Sequence, residues 1–364
     1  MRIGIFGFPM VGKTTLFNIL TGATADTKKH AFSGKAEMHI GVSRVHDPRL
    51  DKLSTMLKPK KTTYAAMEFV DLGQLKREEK EKEDSLLLNE LKIVDALIHV
   101  VRGFYDEAIP HTQNEVNPSK DIRTMETELI LADSAIAENR IHRLDSSIKR
   151  SQKEEEIKEL ELIKKCFEKL QKEIPLRELA LHEDEEKKLR GFTFLSEKPI
   201  LNAINMDEKD IKEMGNYIDF YSLKELASRP RSSMVPFSAK IEYEIIELSA
   251  EDAKTFEEEY GIKDFCQERV ISAVLKMLDL ITFFTVVGEE ARAWLIRRGS
   301  TTIKAAGTVH TDMEKGFIKA ELIHYNDFIS AGTFHTAKEK GLLKLEGKEW
   351  IVQDGDIINF KFNV

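Results

Sequence analysis

Cysteine is scarce in this chain. Only Cys166 and Cys266 occur in 364 residues, far apart and in no C-x-x-C pair. A disulfide framework or a thiolate metal site is therefore not expected, which fits a reducing compartment. Long apolar runs are also missing. No stretch of 18 apolar residues occurs, so no membrane span is expected. The start, Met1-Arg2-Ile3-Gly4-Ile5-Phe6, lacks the roughly 7–15-residue apolar stretch of a signal peptide. Nor is there an excess of positive charge. Lys+Arg 55 against Asp+Glu 63 gives a net −8. That excludes a general nucleic-acid or membrane-surface binder and a specific DNA reader, and leaves room for a local basic patch. What is present is a 41% apolar share beside 32% charged residues, enough for a sizeable core. At about 150 residues per domain, two or three domains are expected. The default is a cytoplasmic, monomeric, soluble protein.

Short apolar runs at Ile3–Phe6, Met67–Val70, Ala96–Val101, Ile200–Ile204 and Met234–Phe237 alternate with helical stretches. Such runs read as buried parallel strands in an α/β, doubly wound sheet. One region breaks the rhythm. From Ser151 to Arg190, 22 of 40 residues are charged, 10 basic and 12 acidic. A seam of Leu160, Ile163, Phe167, Leu170 and Ile174 follows an earlier one of Ile130, Ser134, Ala137, Ile141, Leu144 and Ile148. Two seams joined by polar residues near Ser151–Glu155 predict an antiparallel coiled-coil arm, each helix about 25–30 Å long. Beyond about Leu280 the pattern becomes mixed α+β: Phe283–Val287, Ala291–Ile296, Ile318–Ile323 and Ile357–Phe362 are strand-like. Gly288-Glu289-Glu290 and Asp354-Gly355 serve as turns. The expected layout is a first part of the nucleotide-binding domain (1–125), an arm (126–195), a second part of that domain (196–279) and a last domain (280–364).

Gly7-Phe8-Pro9-Met10-Val11-Gly12-Lys13-Thr14 matches G-x-x-x-x-G-K-[ST], between the strand Ile3–Phe6 and a helical pattern at Thr14–Leu20. That context makes it a phosphate-binding P-loop. Its glycines let backbone N–H groups approach phosphate. Lys13 would reach the β- and γ-phosphates, and Thr14 would offer Mg²⁺ a hydroxyl. Met10, Val11, Gly12, Lys13, Thr14 and Thr15 are the expected nucleotide contacts. Asp71, ending the strand Phe69-Val70-Asp71, is the second expected metal residue. After a later strand, Asn205-Met206-Asp207-Glu208 stands where a guanine reader carries N-K-x-D, with Met206 for the Lys and Glu208 for the Asp. A site built to hydrogen-bond the guanine edge loses that discrimination when its partners change. Ser238-Ala239-Lys240, after the next strand, fits the element whose backbone contacts the base.

The N-x-x-E motif, the helical arm and the last domain together resemble the YchF/Obg-like ATPases. The most specific stretches are Ala291-Arg292-Ala293-Trp294, His310 through Ala320, and Ile351-Val352-Gln353-Asp354-Gly355-Asp356. Trp350 stands where the family has tyrosine, and the chain ends Phe360-Lys361-Phe362-Asn363-Val364. The resemblance covers essentially the whole chain. It implies a P-loop G domain with an inserted coiled-coil arm and a C-terminal β-grasp (TGS-like) domain. It also implies ATP preferred over GTP, slow hydrolysis with Mg²⁺, and association with the ribosome or ribosomal RNA. In the family a loop histidine assists the attacking water; His111 corresponds here.

The chain departs from the family pattern around the γ-phosphate. Met10 replaces an Asn. Ala31–Ala36 stands in the first switch with no Thr before Gly41, and Ser33 replaces the family's cysteine. Gln74 stands where the second switch has glycine, and no glycine occurs from Leu75 through Leu91; Lys76–Asp84 reads as a solvated helix. These losses remove contacts that tell triphosphate from diphosphate. Two readings follow: a weak ATPase, with His111 or alternatively Gln74 placing the water, or a diverged, non-hydrolysing nucleotide-binding interaction module. In the last domain, Arg292, Arg297, Arg298, Lys304, Lys315 and Lys319 form either an RNA-facing surface or a mixed solvated face.

Overall fold

The structure is a computed structural model that describes all residues except 23–27, 32–36, 73–89, 110–114, 152, 250, 254, 256–259, 263 and 364. Contacts divide the chain into two units, Met1–Ser43 with Glu68–Met277, and Arg44–Met67 with Leu278–Val364.

The first unit is built on strands β1 (Arg2–Phe6), β2 (Lys28–Ala31), β3 (Glu37–Val45), β5 (Ala65–Leu72), β6 (Ala96–Gly103), β7 (Ile200–Met206) and β8 (Ser232–Phe237). Their order is β2-β3-β5-β1-β6-β7-β8. β1 pairs in parallel with β5 and β6, β6 with β7, and β7 with β8. The five apolar runs of the sequence are the parallel strands β1, β5, β6, β7 and β8. Every residue of β6 and β7 is buried, which is why they show no polar alternation. The antiparallel pair β2 and β3 at one edge carried no such signal. Helix α1 (Lys13–Thr21) packs against α5 (Ala239–Glu247) and α6 (Cys266–Met277).

The helix that leads into the arm begins at Pro118, before the first seam residue Ile130. Helix α3 (Pro118–Ser151) has 34 residues, about 50 Å, and α4 (Glu154–Leu170) has 17, about 25 Å. The first half of α3 covers the sheet: Ile122 packs with Val101 and Ile204, and Leu129 with Phe6, Val70 and Leu97. From Ile130 onward the helix pairs with α4, where Ile130 and Ala137 meet Leu162, Ile163, Cys166 and Leu170. Leu162 and Cys166 thus take the buried places that Leu160 and Phe167 were expected to hold. Ile174 lies beyond the helix. The cause is a second buried flank: Leu176, Leu189 and Phe194 close over α4 and widen its apolar face. Asp133 fastens α3 to the chain that re-enters the sheet, accepting from the backbone N–H groups of Leu195 (2.9 Å) and Ser196 (2.7 Å).

The second unit holds a six-stranded sheet in the order β12-β11-β13-β9-β10-β4. Its strands are β4 (Lys61–Thr63), β9 (Leu280–Val287), β10 (Glu290–Arg297), β11 (Phe317–His324), β12 (Lys344–Glu346) and β13 (Asp356–Phe362). β9 and β10 form a hairpin whose turn uses Gly288 at φ +61°. The first and last strands of the C-terminal stretch, β9 and β13, pair in parallel, the β-grasp arrangement. Phe283, Ile296, Leu322 and Phe360 bury one face beneath Ala305 and Ala306 of α7 (Thr302–Val309). Arg44–Met67, expected in the first domain, belongs here instead. β4 pairs in parallel with Glu290–Arg292. Arg49, on α2 (Pro48–Leu57), bonds Asp47 and Asp354 at 2.8 Å each and lies over the Phe284 ring. α2 buries Leu50 and Leu53, but neither that short apolar stripe nor a three-residue edge strand says which sheet the segment joins.

Candidate functional site

The site is built where β1, β5, β7 and β8 end, since parallel strands bring their C-terminal loops to one edge. The P-loop between β1 and α1 is shaped by close backbone approach. A Cβ on Gly7 (φ +148°) would lie 2.5 Å from the Val100 carbonyl oxygen, and one on Gly12 (φ +101°) would lie 2.7 Å from Asn205 Nδ2. Both positions require glycine. Met10 takes φ +61°, a left-handed conformation that costs a side chain about 1 kcal/mol or more. Its side chain is exposed, as is Thr14, while Val11 is buried and Thr15 half-buried.

Lys13 folds back over the loop, donating from Nζ to the carbonyls of Gly7 (3.1 Å) and Phe8 (2.9 Å). Burial lowers its pKa and the Asp71 carboxylate opposes that shift. Thr14 Oγ1 donates to Asp71 Oδ2 at 2.8 Å. Asp71 is 1% exposed, and burial raises its pKa against the Thr14 hydrogen bond and the Lys13 charge. Its other oxygen, Oδ1, is buried without a hydrogen-bond partner. A hydroxyl beside a half-satisfied carboxylate, at the end of a loop that backbone can line closely, fits a nucleotide phosphate with a hard, oxygen-seeking cation.

Asn205 joins the P-loop to the start of α5. Its Nδ2 donates to the Val11 carbonyl (2.9 Å), and its Oδ1 accepts from the Ala239 N–H (2.9 Å). Because β7 and β8 pair in parallel with Asn205 opposite Phe237, the residues three further along each chain also come together. These are Glu208 and Lys240, whose Oε2 and Nζ lie 2.6 Å apart.

Family models match two stretches. Residues 2–165 match one described as a 50S ribosome-binding GTPase, and residues 280–363 match one named for the YchF GTPase C terminus and described as a protein of unknown function. A protein of Bacillus subtilis (strain 168) named ribosome-binding ATPase YchF is 38% identical over 366 residues, covering 100% of both chains. Its namesake in Escherichia coli O157:H7 is 40% identical over 365 residues, covering 100% of this chain and 99% of that one. The chain belongs to the YchF family. The solved Schizosaccharomyces pombe YchF GTPase superposes with a TM-score of 0.83 at 26% identity, covering 99% of this chain and 97% of that one. A GTP-binding protein of Pyrococcus horikoshii OT3 shares the fold, at TM-score 0.61 and 20% identity over the whole of both chains.

Against the YchF pattern, the structure brings together Val11, Gly12, Lys13, Thr14, Asp71, Asn205 and Ala239, with Glu208 and Lys240 paired beside them. Met206 is not among them. Its side chain is 2% exposed and packs with Val101, Leu223 and Leu226, so the residue at the motif's lysine position is a core residue. The strand alternation explains this: Met206 continues β7 and takes the face opposite Asn205. Ser238 is fully buried and contributes its backbone, donating to Glu242 Oε1 at 3.0 Å. His111, the Phe32–Ala36 part of the first switch and Gly73 through Asp84, Gln74 included, lie outside the described residues.

Sequence reasoning missed the support beneath the base end. Glu242 is fully buried, accepting from Ser238 N, from Cys266 N at 2.7 Å and from Arg269 at 2.7 Å. Burial raises its pKa while Arg269 lowers it. It joins the starts of α5 and α6. A Glu four residues after Ser238 looked like an ordinary helix-surface residue. His99, also missed, lies fully buried on β6, its Nδ1 3.1 Å from Asn202 Oδ1 and its ring 5.2 Å from Phe6. Burial pushes its pKa down to about 4. In the last domain Arg292 lies over Trp294 and Arg298 pairs with Asp279, while Arg297, Lys304, Lys315 and Lys319 are exposed.

Proposed function

We propose that this chain is a cytoplasmic, ribosome-associated P-loop ATPase that binds ATP in preference to GTP, with Mg²⁺, and hydrolyses it slowly. The observation that carries this reading is the contact of Thr14 with half-satisfied Asp71 beneath the Lys13 loop, in a chain whose full-length relatives are named ribosome-binding ATPases.

The P-loop backbone and Lys13 hold the phosphates, and Thr14 and Asp71 hold the cation. Bound Mg²⁺ supplies charge neutralisation at the phosphate oxygens. In hydrolysis, water attacks the γ-phosphorus, the bond to the β-γ bridging oxygen breaks, and ADP leaves with the electron pair. Lys13 stabilises the charge that spreads over the transferred group. We assign His111 the role of orienting that water and accepting its proton. The altered first and second switches favour slow turnover and a weak distinction between tri- and diphosphate.

Steady-state phosphate release from ATP tests the enzyme reading. Wild-type turnover above the Lys13→Ala background, reduced by His111→Ala, supports it. Turnover equal to that background would leave the non-hydrolysing interaction module. Co-sedimentation with ribosomes tests the partner. Binding at low salt that weakens as salt rises is expected of contact through Arg297, Lys304, Lys315 and Lys319; absence of binding even at low salt would refute it.

A further inference from the structure

The loop that leaves β6 is gripped by a buried cation. Arg102, next to last in β6, is 2% exposed, and its guanidinium turns onto the chain that follows it. Nε donates to the Phe104 carbonyl at 3.1 Å. Nη2 donates to the Ile109 carbonyl at 2.9 Å and lies 3.5 Å from the Asp106 carbonyl. The guanidinium carbon stands 4.6 Å from the centre of the Phe104 ring, a cation–π contact. The loop is also closed from within: Asp106 Oδ1 accepts from Ala108 N at 2.9 Å, and its carbonyl accepts from Ile109 N at 3.2 Å. Tyr221 fixes the root, its hydroxyl donating to the Gly103 carbonyl at 2.7 Å. Burial lowers the Arg102 pKa, and the carboxylates of Asp106 and Asp121 oppose that shift. Asp121 is 1% exposed and lies on the first turn of α3, where the chain returns.

We infer that Arg102 is a positioning residue for hydrolysis: by clamping Phe104 and Ile109 it fixes the start of the segment that carries His111. Only Pro110, whose ring fixes φ, separates Ile109 from His111 in the sequence. Two residues span at most about 7 Å, so the place of Ile109 limits where the imidazole can act. A general base must come within hydrogen-bond reach of the water, and a shift of about 1 Å can cost on the order of a hundredfold in rate. The clamp needs arginine. Two nitrogens of one rigid fork hold carbonyls five residues apart, which the single nitrogen of a lysine does not reproduce. The bonds of Arg102 go to loop carbonyls, so it acts through the loop and not on the nucleotide.

The inference rests on the proposed role of His111, and a double-mutant cycle on the full-length chain separates the two. Phosphate release from ATP with Mg²⁺ gives kcat, and calorimetric titration gives ATP affinity. Arg102→Lys keeps the charge and loses the fork. It should lower kcat about tenfold while ATP affinity stays within about twofold. In a His111→Ala background the same change should cost no further turnover, because the group it positions is gone. Amide hydrogen exchange reads the clamp without turnover, and decides the case where His111→Ala leaves no measurable rate. Arg102→Lys should speed exchange at Ala108 and Ile109 and leave Val11 and Ala239 unchanged. Arg102→Met should repeat the pattern with a larger loss; if thermal melts show it unfolded, Arg102→Lys decides. An equal loss in both backgrounds, a matching fall in ATP affinity, faster exchange at Val11 and Ala239, or no loss at all would overturn the inference alone. So would failure of both variants to fold, which would mark Arg102 as structural. A His111→Ala variant as fast as wild type, or a wild type no faster than Lys13→Ala, would overturn the His111 role and the inference with it.

Discussion

The two ends of the nucleotide site are built by opposite means. At the phosphate end, polar groups are buried and interlocked: Asp71 at 1% exposure, Asn205 at 4%, and Lys13 folded onto loop carbonyls. At the proposed base end, Glu208 and Lys240 form an exposed ion pair carried on the first residues of two helical turns. Charge stabilisation benefits from low dielectric and fixed geometry. Base recognition needs only a complementary edge that solvent can vacate. The phosphate end should therefore be coupled to folding, and the base end should be alterable with little effect on stability.

Changes at the phosphate end should have the largest effects. Lys13→Ala is expected to reduce turnover by about 10²–10³-fold, measured as phosphate release. Asn205→Ala strips partners from the Val11 carbonyl and the Ala239 N–H together. It should cost about 2–4 kcal/mol in denaturant unfolding and weaken both nucleotides alike. His99 supplies a pH test. Its folded pKa, about 4, lies below its unfolded value near 6.5, so the unfolded chain binds the extra proton between those limits. The His99 contribution is full above about pH 6.5 and is lost as pH falls toward 4. A His99→Asn variant should lose about 2 kcal/mol less stability than wild type on going from pH 7 to pH 5. The smallest effect belongs to the base end: Lys240→Ala should change unfolding free energy by less than about 1 kcal/mol. A large loss there would erase the contrast between the two ends.

The same contrast explains what could be read in advance. The parallel core was legible because strands buried on both faces are largely apolar, as β6 and β7 are. The P-loop was legible because close approach of the Val100 carbonyl and of Asn205 confines Gly7 and Gly12 to glycine. Features held by polar contacts left no such trace. Arg44–Met67 joins the second unit through a three-residue edge strand, the Arg49 ion pairs and buried Leu50 and Leu53, and a helix this short does not name the sheet it packs on. Glu242 and His99 are polar residues buried by tertiary contacts between segments distant in sequence. Met206 stands at a motif position, and strand alternation turns its side chain into the core, which the motif does not reveal. The Lys240–Glu208 pair depends on the register of β7 against β8, which no local pattern encodes.

Parallel titration of the wild-type chain with ATP and GTP in Mg²⁺ tests the central claim most directly. Tighter binding of ATP than of GTP is predicted; equal affinities, or tighter binding of GTP, would contradict an ATP-selective site.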